Sequence, residues 1–265
     1  MTQYYKLLAA NRRHNGFTYN EGLNVDDVPF NPSGACRPGG LFFTTFEHIP
    51  MWYDTLWPLI ADVTVPDDAR VYAEPCGAAW KADKLVLTNI RPLSEFLTEL
   101  DEAIIYNFVC QNGRMLEHMH NQNDALCLAA VKQYGPALKH VQKQTDEICL
   151  AAVQDGGDAL RFVQNQSEAI CLAAVKRFGG ALEYVQNQTD EICLAAVQQF
   201  GHALKFVRAQ TEEICLAAVR QNGWALQHVQ NQTNHICATA VQQDKWAMLY
   251  VQTPNRAVLQ TSYFP

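Results

Sequence analysis

Six cysteines, Cys127, Cys149, Cys171, Cys193, Cys215 and Cys237, stand 22 residues apart with no insertion between them. Thiols at a fixed spacing could form disulfides, hold zinc or cycle between redox states. If each lies at an equivalent point of stacked helices, neighbours are ~8–10 Å apart, beyond the ~7 Å that two Cα atoms in a disulfide can span. Zinc needs ligands converging on one point, usually from short paired spacings, and a line of thiols a full repeat apart does not converge. The column therefore reads as small buried apolar filler. His118, His140 and His228 share another register of the same frame and are likewise too far apart to hold one metal. The chain's nine cysteines are odd in number, and "MTQYYKLLAANRRHNG" lacks a long apolar run, so free thiols inside a reducing intracellular compartment are expected. No metal and no cofactor are expected.

The frame that positions the cysteines runs well beyond them. Asp101, Asn123, Thr145, Ser167, Thr189, Thr211, Thr233 and Asn255 share one register, and each carries a short acceptor able to cap a helix start. Six are followed within two positions by an acid, as in Asp190-Glu191, where the helix dipole favours negative charge. Next comes Ile-Cys-Leu-Ala-Ala-Val, apolar on all sides, which suits a helix enclosed by neighbours. Glycine recurs at 113, 135, 157, 179, 201 and 223, where a left-handed conformation would end the helix. Only Lys245 breaks that column. Pro136 after Gly135 suits the first position of a second, shorter helix of about two turns. Seven such two-helix units over 101–254, closed by a half-unit from Asn255, predict an all-α solenoid over 101–265.

Within the second helix, His118, His140, Phe162, Tyr184, Phe206, His228 and Tyr250 form a ring column, read either as inter-repeat packing or as aromatic contacts for a partner. Directly before them stand Glu117, Lys139, Arg161, Glu183, Lys205, Gln227 and Leu249, which vary in charge and size while their neighbours do not. Of these, Lys139, Arg161, Glu183, Lys205 and Gln227 are the candidate contacts for a protein partner. Closing pairs such as Asn187-Gln188 read as structural glue, with amides bonding from turn to turn and satisfying loop backbone groups.

Residues 1–100 show no 22-residue echo and carry most of the prolines, predicting a separate α+β head domain. Alternation and turn signals place strands at "YYKLLA", "FTYN", "GLFFTT", "IADVTV", "ARVYAE" and "KLVLTN", with helices near "EHIPMWYDTLW" and "LSEFLTEL". Cys36 and Cys76 lack a zinc spacing and read as ordinary buried thiols. At 48% apolar residues the chain can bury a core, and no stretch approaches the ~20 apolar residues of a membrane span. The acidic excess, net −7, is spread along the sequence without a basic patch, which makes nucleic acid a poor partner.

The frame "HNGFTYNEGLNVDDVPFNPSGACRPGGLFFT", with "VTVPDDARVY" and "KADKLVL", resembles an N-terminal module of giant-DNA-virus repeat proteins, often ahead of ankyrin repeats. The "EICLAAVQQFGHALKFV" units resemble a family of uncharacterised short helical repeats of giant viruses and some bacteria. Together these imply a marseillevirus- or mimivirus-like origin, while the extended face of a solenoid predicts a non-enzymatic interaction or scaffold protein acting in the host cell, with a structural component of the virion as an alternative. His14-Asn15-Gly16 and Gly40-Leu41-Phe42-Phe43-Thr44 also resemble the ADP-ribosyltransferase pattern. That resemblance implies NAD as cofactor, with His14 on the nicotinamide ribose, Phe42 at the stacking position and Glu74 as the candidate for the glutamate that orients the attacked ribose and stabilises its developing positive charge. Asn15 interrupts the motif's His-Gly pair, and Phe42 lacks the hydroxyl of the usual tyrosine.

Overall fold

The computed structural model describes residues 2–32, 38–75 and 77–252. The chain divides into two compact units, Met1–Gln133 and Tyr134–Pro265.

Among the described residues of the first unit nine strands form: β1 (Tyr4–Leu8), β2 (Arg13–His14), β3 (Phe17–Thr18), β4 (Gly22–Val25), β5 (Leu41–Thr45), β6 (Leu59–Thr64), β7 (Val71–Ala73), β8 (Trp80–Ala82) and β9 (Lys84–Pro92). Seven of them make one sheet in the order β4-β9-β6-β1-β5-β8-β7, with every pairing antiparallel. Its core gathers Leu8, Tyr19, Leu41, Phe43, Val63, Leu85 and Leu87. β2 and β3 form a separate hairpin whose turn is Asn15-Gly16, both with positive φ (51° and 86°), the conformation that a two-residue type I′ turn demands. Short helices α1 (Ile49–Trp52) and α2 (Leu93–Thr98) follow β5 and β9. The strands expected from alternation are all present, with ends within a residue or two, except that "FTYN" is strand only at Phe17–Thr18 and β9 runs three residues beyond "KLVLTN". β4, β8 and the two-residue β2 lie outside those expected. β4 and β8 are only four and three residues long, too short to display alternation.

The repeat frame begins in this unit with α3 (Glu102–Gln111) and α4 (Asp124–Gln133). The second unit continues it with α5 (Asp146–Asp155), α6 (Glu168–Arg177), α7 (Asp190–Gln199), α8 (Glu212–Gln221) and α9 (Asn234–Gln243), each followed by a six-residue 3₁₀ helix. The expected caps form at Asn123, Thr145, Ser167, Thr189, Thr211 and Thr233, where the side-chain oxygen accepts from the backbone N–H three residues on. Asp101 precedes α3 without a side-chain cap bond, and Asn255 with its half-unit lies outside the described residues. In α5 to α9 Ile, Cys, Ala and Val are buried, as at Ile192, Cys193, Ala196 and Val197, and α4 buries Leu126, Cys127, Ala130 and Val131 in the same places. Leu194 and Ala195 are only half-buried, so the helix is enclosed on its core side and partly open opposite.

Two local expectations are corrected. The second helix winds as 3₁₀ rather than α, with bonds such as Ala203 N–H to Phe200 C=O, so six residues complete two turns and Leu204 and Val207 stack at i,i+3 against the core. The repeat glycines are not left-handed: positive φ occurs at Gly16, Gly22, Gly39, Gly40 and Gly77, all in the sheet region. The residue before each repeat glycine ends the helix in extended backbone, as at Phe200 (φ −150°, ψ 100°). What demands glycine is proximity. A Cβ at Gly179 would lie 2.5 Å from Ala196 O, and one at Gly201 2.6 Å from Ala218 O, each a backbone oxygen of the next repeat.

Candidate functional site

In the second unit, the fifth residue of each 3₁₀ helix from Gly135–His140 to Gly223–His228 is exposed, between a buried leucine and a half-buried ring. That places Lys139, Arg161, Glu183, Lys205 and Gln227 at equivalent exposed positions on successive repeats. The ring that follows each is half-buried, and two of these rings carry the charge before them: the Arg161 guanidinium lies 4.7 Å from the Phe162 ring centre and the Lys205 ammonium 4.4 Å from that of Phe206. Gln227 Nε2 donates to Trp224 O at 3.1 Å. Two rings of the column pair with side chains of another register, His228 with His202 (Nε2 to Nδ1, 3.3 Å) and Tyr250 with Trp224. Burial, then His202 and Lys205, hold His228 below the usual imidazole range.

In the first unit the same register is spent on the fold. The Tyr53 hydroxyl donates to Glu117 Oε1 and lies 2.8 Å from His118 Nε2, while Asn112 Nδ2 donates to Pro50 O at 2.9 Å. Burial and the bond to Glu117 push the Tyr53 phenol up, so it stays a neutral donor. Glu117 is thereby tied to the loop after α1.

The closing glutamines do bond from repeat to repeat. Gln188 Nε2 donates to Phe206 O at 2.9 Å, and its Oε1 accepts from Arg208 N at 3.0 Å, both in the following repeat. Gln144, Gln166, Gln210 and Gln232 make the same pair of bonds. The adjacent cysteine points its thiol at the same oxygen, Cys193 Sγ to Gln188 Oε1 at 3.7 Å. Burial, then the nearby acid of the first turn, pushes the thiols of Cys127, Cys149, Cys171, Cys193 and Cys215 up, away from the thiolate that nucleophilic or metal chemistry uses. These five and Cys237 are buried thiols, whereas Cys110 is exposed; Cys36 and Cys76 lie outside the described residues.

The head holds a cavity of about 340 Å³. The Asn15-Gly16 turn swings His14 into its wall, edge-on to Trp57 at 4.5 Å between ring centres, and β5 contributes Phe42. The structure thus brings together His14 and Phe42 but not Glu74, which is outside the wall, buried, and has Oε1 without a hydrogen-bond partner. The carboxylate in the wall is Asp54, which accepts from Thr55 Oγ1 at 3.2 Å. Sequence reasoning missed Lys6, also in the wall. Within the strand "YYKLLA" nothing local marks a lysine as buried, and its burial follows from the central place of β1 in the sheet. Burial lowers Lys6 to about 7, and burial with the Lys6 charge lowers His14 to about 4.

Sheet head and helical array together define the class: a repeat protein of stacked 22-residue helical pairs behind an antiparallel-sheet domain. The family model described as "Domain of unknown function (DUF4116)" matches residues 189–233, two of these repeats. Three proteins of Acanthamoeba polyphaga mimivirus, each named as an ankyrin repeat protein, are similar at 31%, 27% and 32% identity over 35%, 32% and 28% of this chain. The alignments cover 48%, 30% and 24% of those proteins, so the chain spans less than half the length of the curated relatives it matches. The chain is similar to giant-virus repeat proteins. Its own 22-residue period differs from the ankyrin period of about 33. No solved structure matches. Among the described residues no helix is long and apolar enough to cross a membrane.

Proposed function

We propose that the chain is a non-enzymatic interaction scaffold of a giant virus, acting in the infected host cell or the virion, with a head of residues 1–100 and an array of residues 101–265. The observation that carries this is the exposed register of Lys139, Arg161, Glu183, Lys205 and Gln227, four residue types at five backbone positions that otherwise repeat. Fixed spacing with variable chemistry is how repeat arrays write specificity onto an extended face. The names of the mimivirus relatives as ankyrin repeat proteins support the same reading. Replacing all five by alanine should leave the melting temperature within a few degrees, because exposed positions away from caps and cores contribute little. Partners captured by crosslinking and mass spectrometry from infected cells with the parent chain should be lost with the variant. An unchanged set of partners would refute this surface as the binding face.

A second reading, an NAD-dependent ADP-ribosyltransferase-like head targeted by the array, is favoured by one observation: His14 and Phe42 share one cavity wall. Calorimetry of the full chain with NAD tests it. Saturable heat abolished by His14→Ala supports it, and no heat at millimolar NAD removes it.

A further inference from the structure

Lys6 is 3% exposed, and its strand β1 lies between β6 and β5 in the middle of the sheet. A lysine on an edge strand can lead its ammonium out to water along its own stem. From this central position Lys6 cannot. Its Nζ donates to Phe42 O at 2.6 Å and sits 4.2 Å from the centre of the Tyr19 ring, and among the described residues no carboxylate lies within ion-pair distance. Buried lysines are almost always paired. This one instead has a carbonyl acceptor, which leaves the lone pair of the neutral amine free, and it lines a cavity with aromatic walls.

We propose that the head cavity is a covalent capture site in which Lys6 condenses with a small aromatic aldehyde. The Nζ lone pair adds to the carbonyl carbon, forming the C–N bond. The amine gives up its two protons, the former carbonyl oxygen leaves with them as water, and an imine remains. No oxidant or reductant takes part. His14, in the same wall, is unprotonated at neutral pH, so it can accept a proton from the adding amine and return it to the departing oxygen. The titratable groups around Lys6 are Tyr5, His14, Tyr19, Tyr53 and Asp54. Burial keeps Tyr19 a neutral phenol, so it supplies no counter-charge. Trp52, Trp57 and Phe42 supply flat apolar surface for a ring, and about 340 Å³ holds a compound of one or two rings. Desolvated lysines in apolar pockets are the usual source of Schiff-base chemistry. The inference does not depend on the scaffold reading of the array.

The test uses the full chain, benzaldehyde and cyanoborohydride at pH 7, with the benzyl adducts mapped by peptide mass spectrometry. Lys6 should be labelled at least about ten-fold faster than the exposed Lys139 and Lys205. Its rate should level off not far above pH 7. Lys81 is the internal comparison, since it is fully buried but outside the cavity wall, and it should stay unlabelled. Labelling of Lys6 at or below the rate of the exposed lysines overturns the proposal, and so does labelling of Lys81 to the same extent as Lys6.

Discussion

Gly179→Ala should destabilise the array by ~3 kcal/mol, at the upper end of what overpacking a core costs. The new methyl would lie 2.5 Å from Ala196 O, 2.7 Å from Gln199 Oε1 and 2.8 Å from Phe200 Cβ. The Gln199 side chain could turn away, at the loss of its 2.6 Å bond from the Gly179 N–H. Ala196 O cannot, because it accepts the helix-ending N–H of Phe200 at 2.9 Å, so relief means separating two repeats. Gly179→Val adds two further methyls and should cost more. Gly180→Ala is the control. Its closest contact is the Phe178 ring at 2.5 Å, a side chain 45% exposed that can swing into solvent, and the loss should be below about 1 kcal/mol. Urea unfolding of the three variants checks the ranking, and equal losses for Gly179→Ala and Gly180→Ala would mean that close approach is not what selects glycine there.

Gln188→Ala should cost ~2 kcal/mol, from two repeat-to-repeat hydrogen bonds at about 1 kcal/mol each. The substitution removes the donor to Phe206 O and the acceptor of Arg208 N together. It also takes away the acceptor facing the Cys193 thiol. Asn187→Ala, on the exposed residue beside it, should be close to neutral. If urea midpoints show the two variants equally stable, the glutamine bonds carry no net stability.

The array was legible because its signals are local and repeated. A cap oxygen at Thr189, acids at Asp190-Glu191 and an apolar run at Ile192 to Val197 each act over one helical turn, and the frame states them again every 22 residues. Gly179 shows the limit of such reading. Its column was visible, but a glycine needed for a positive φ and one needed for proximity look alike in sequence, and only the placement of Ala196 O separates them. Gln188 was legible as glue, whereas the Cys193 thiol aimed at the same oxygen was not. In the head, Asn15-Gly16 is a usual type I′ turn pair, yet its hairpin was not expected, because β2 and β3 are only two residues each. Lys6 did not announce its burial, because that follows from which strands flank β1, a long-range pairing that no local pattern encodes. His14 and Phe42 meet in one wall for the same kind of reason, with a hairpin and a sheet strand converging from 28 positions apart in the chain.

The account rests most heavily on the amide ladder that joins one repeat to the next. Amide hydrogen exchange on the full chain tests it directly, at the backbone N–H groups of Gln164, Gln186, Arg208 and Gln230. All four residues are exposed and stand outside the helices, so without the ladder their amides would exchange at the rate of an open loop. Bonded to Gln144, Gln166, Gln188 and Gln210, they should instead be protected to a similar degree, and Gln188→Ala should release Arg208 ahead of the other three. Exchange of all four at loop rates in the parent chain would contradict the ladder, and with it the stacked frame on which the proposed binding surface depends.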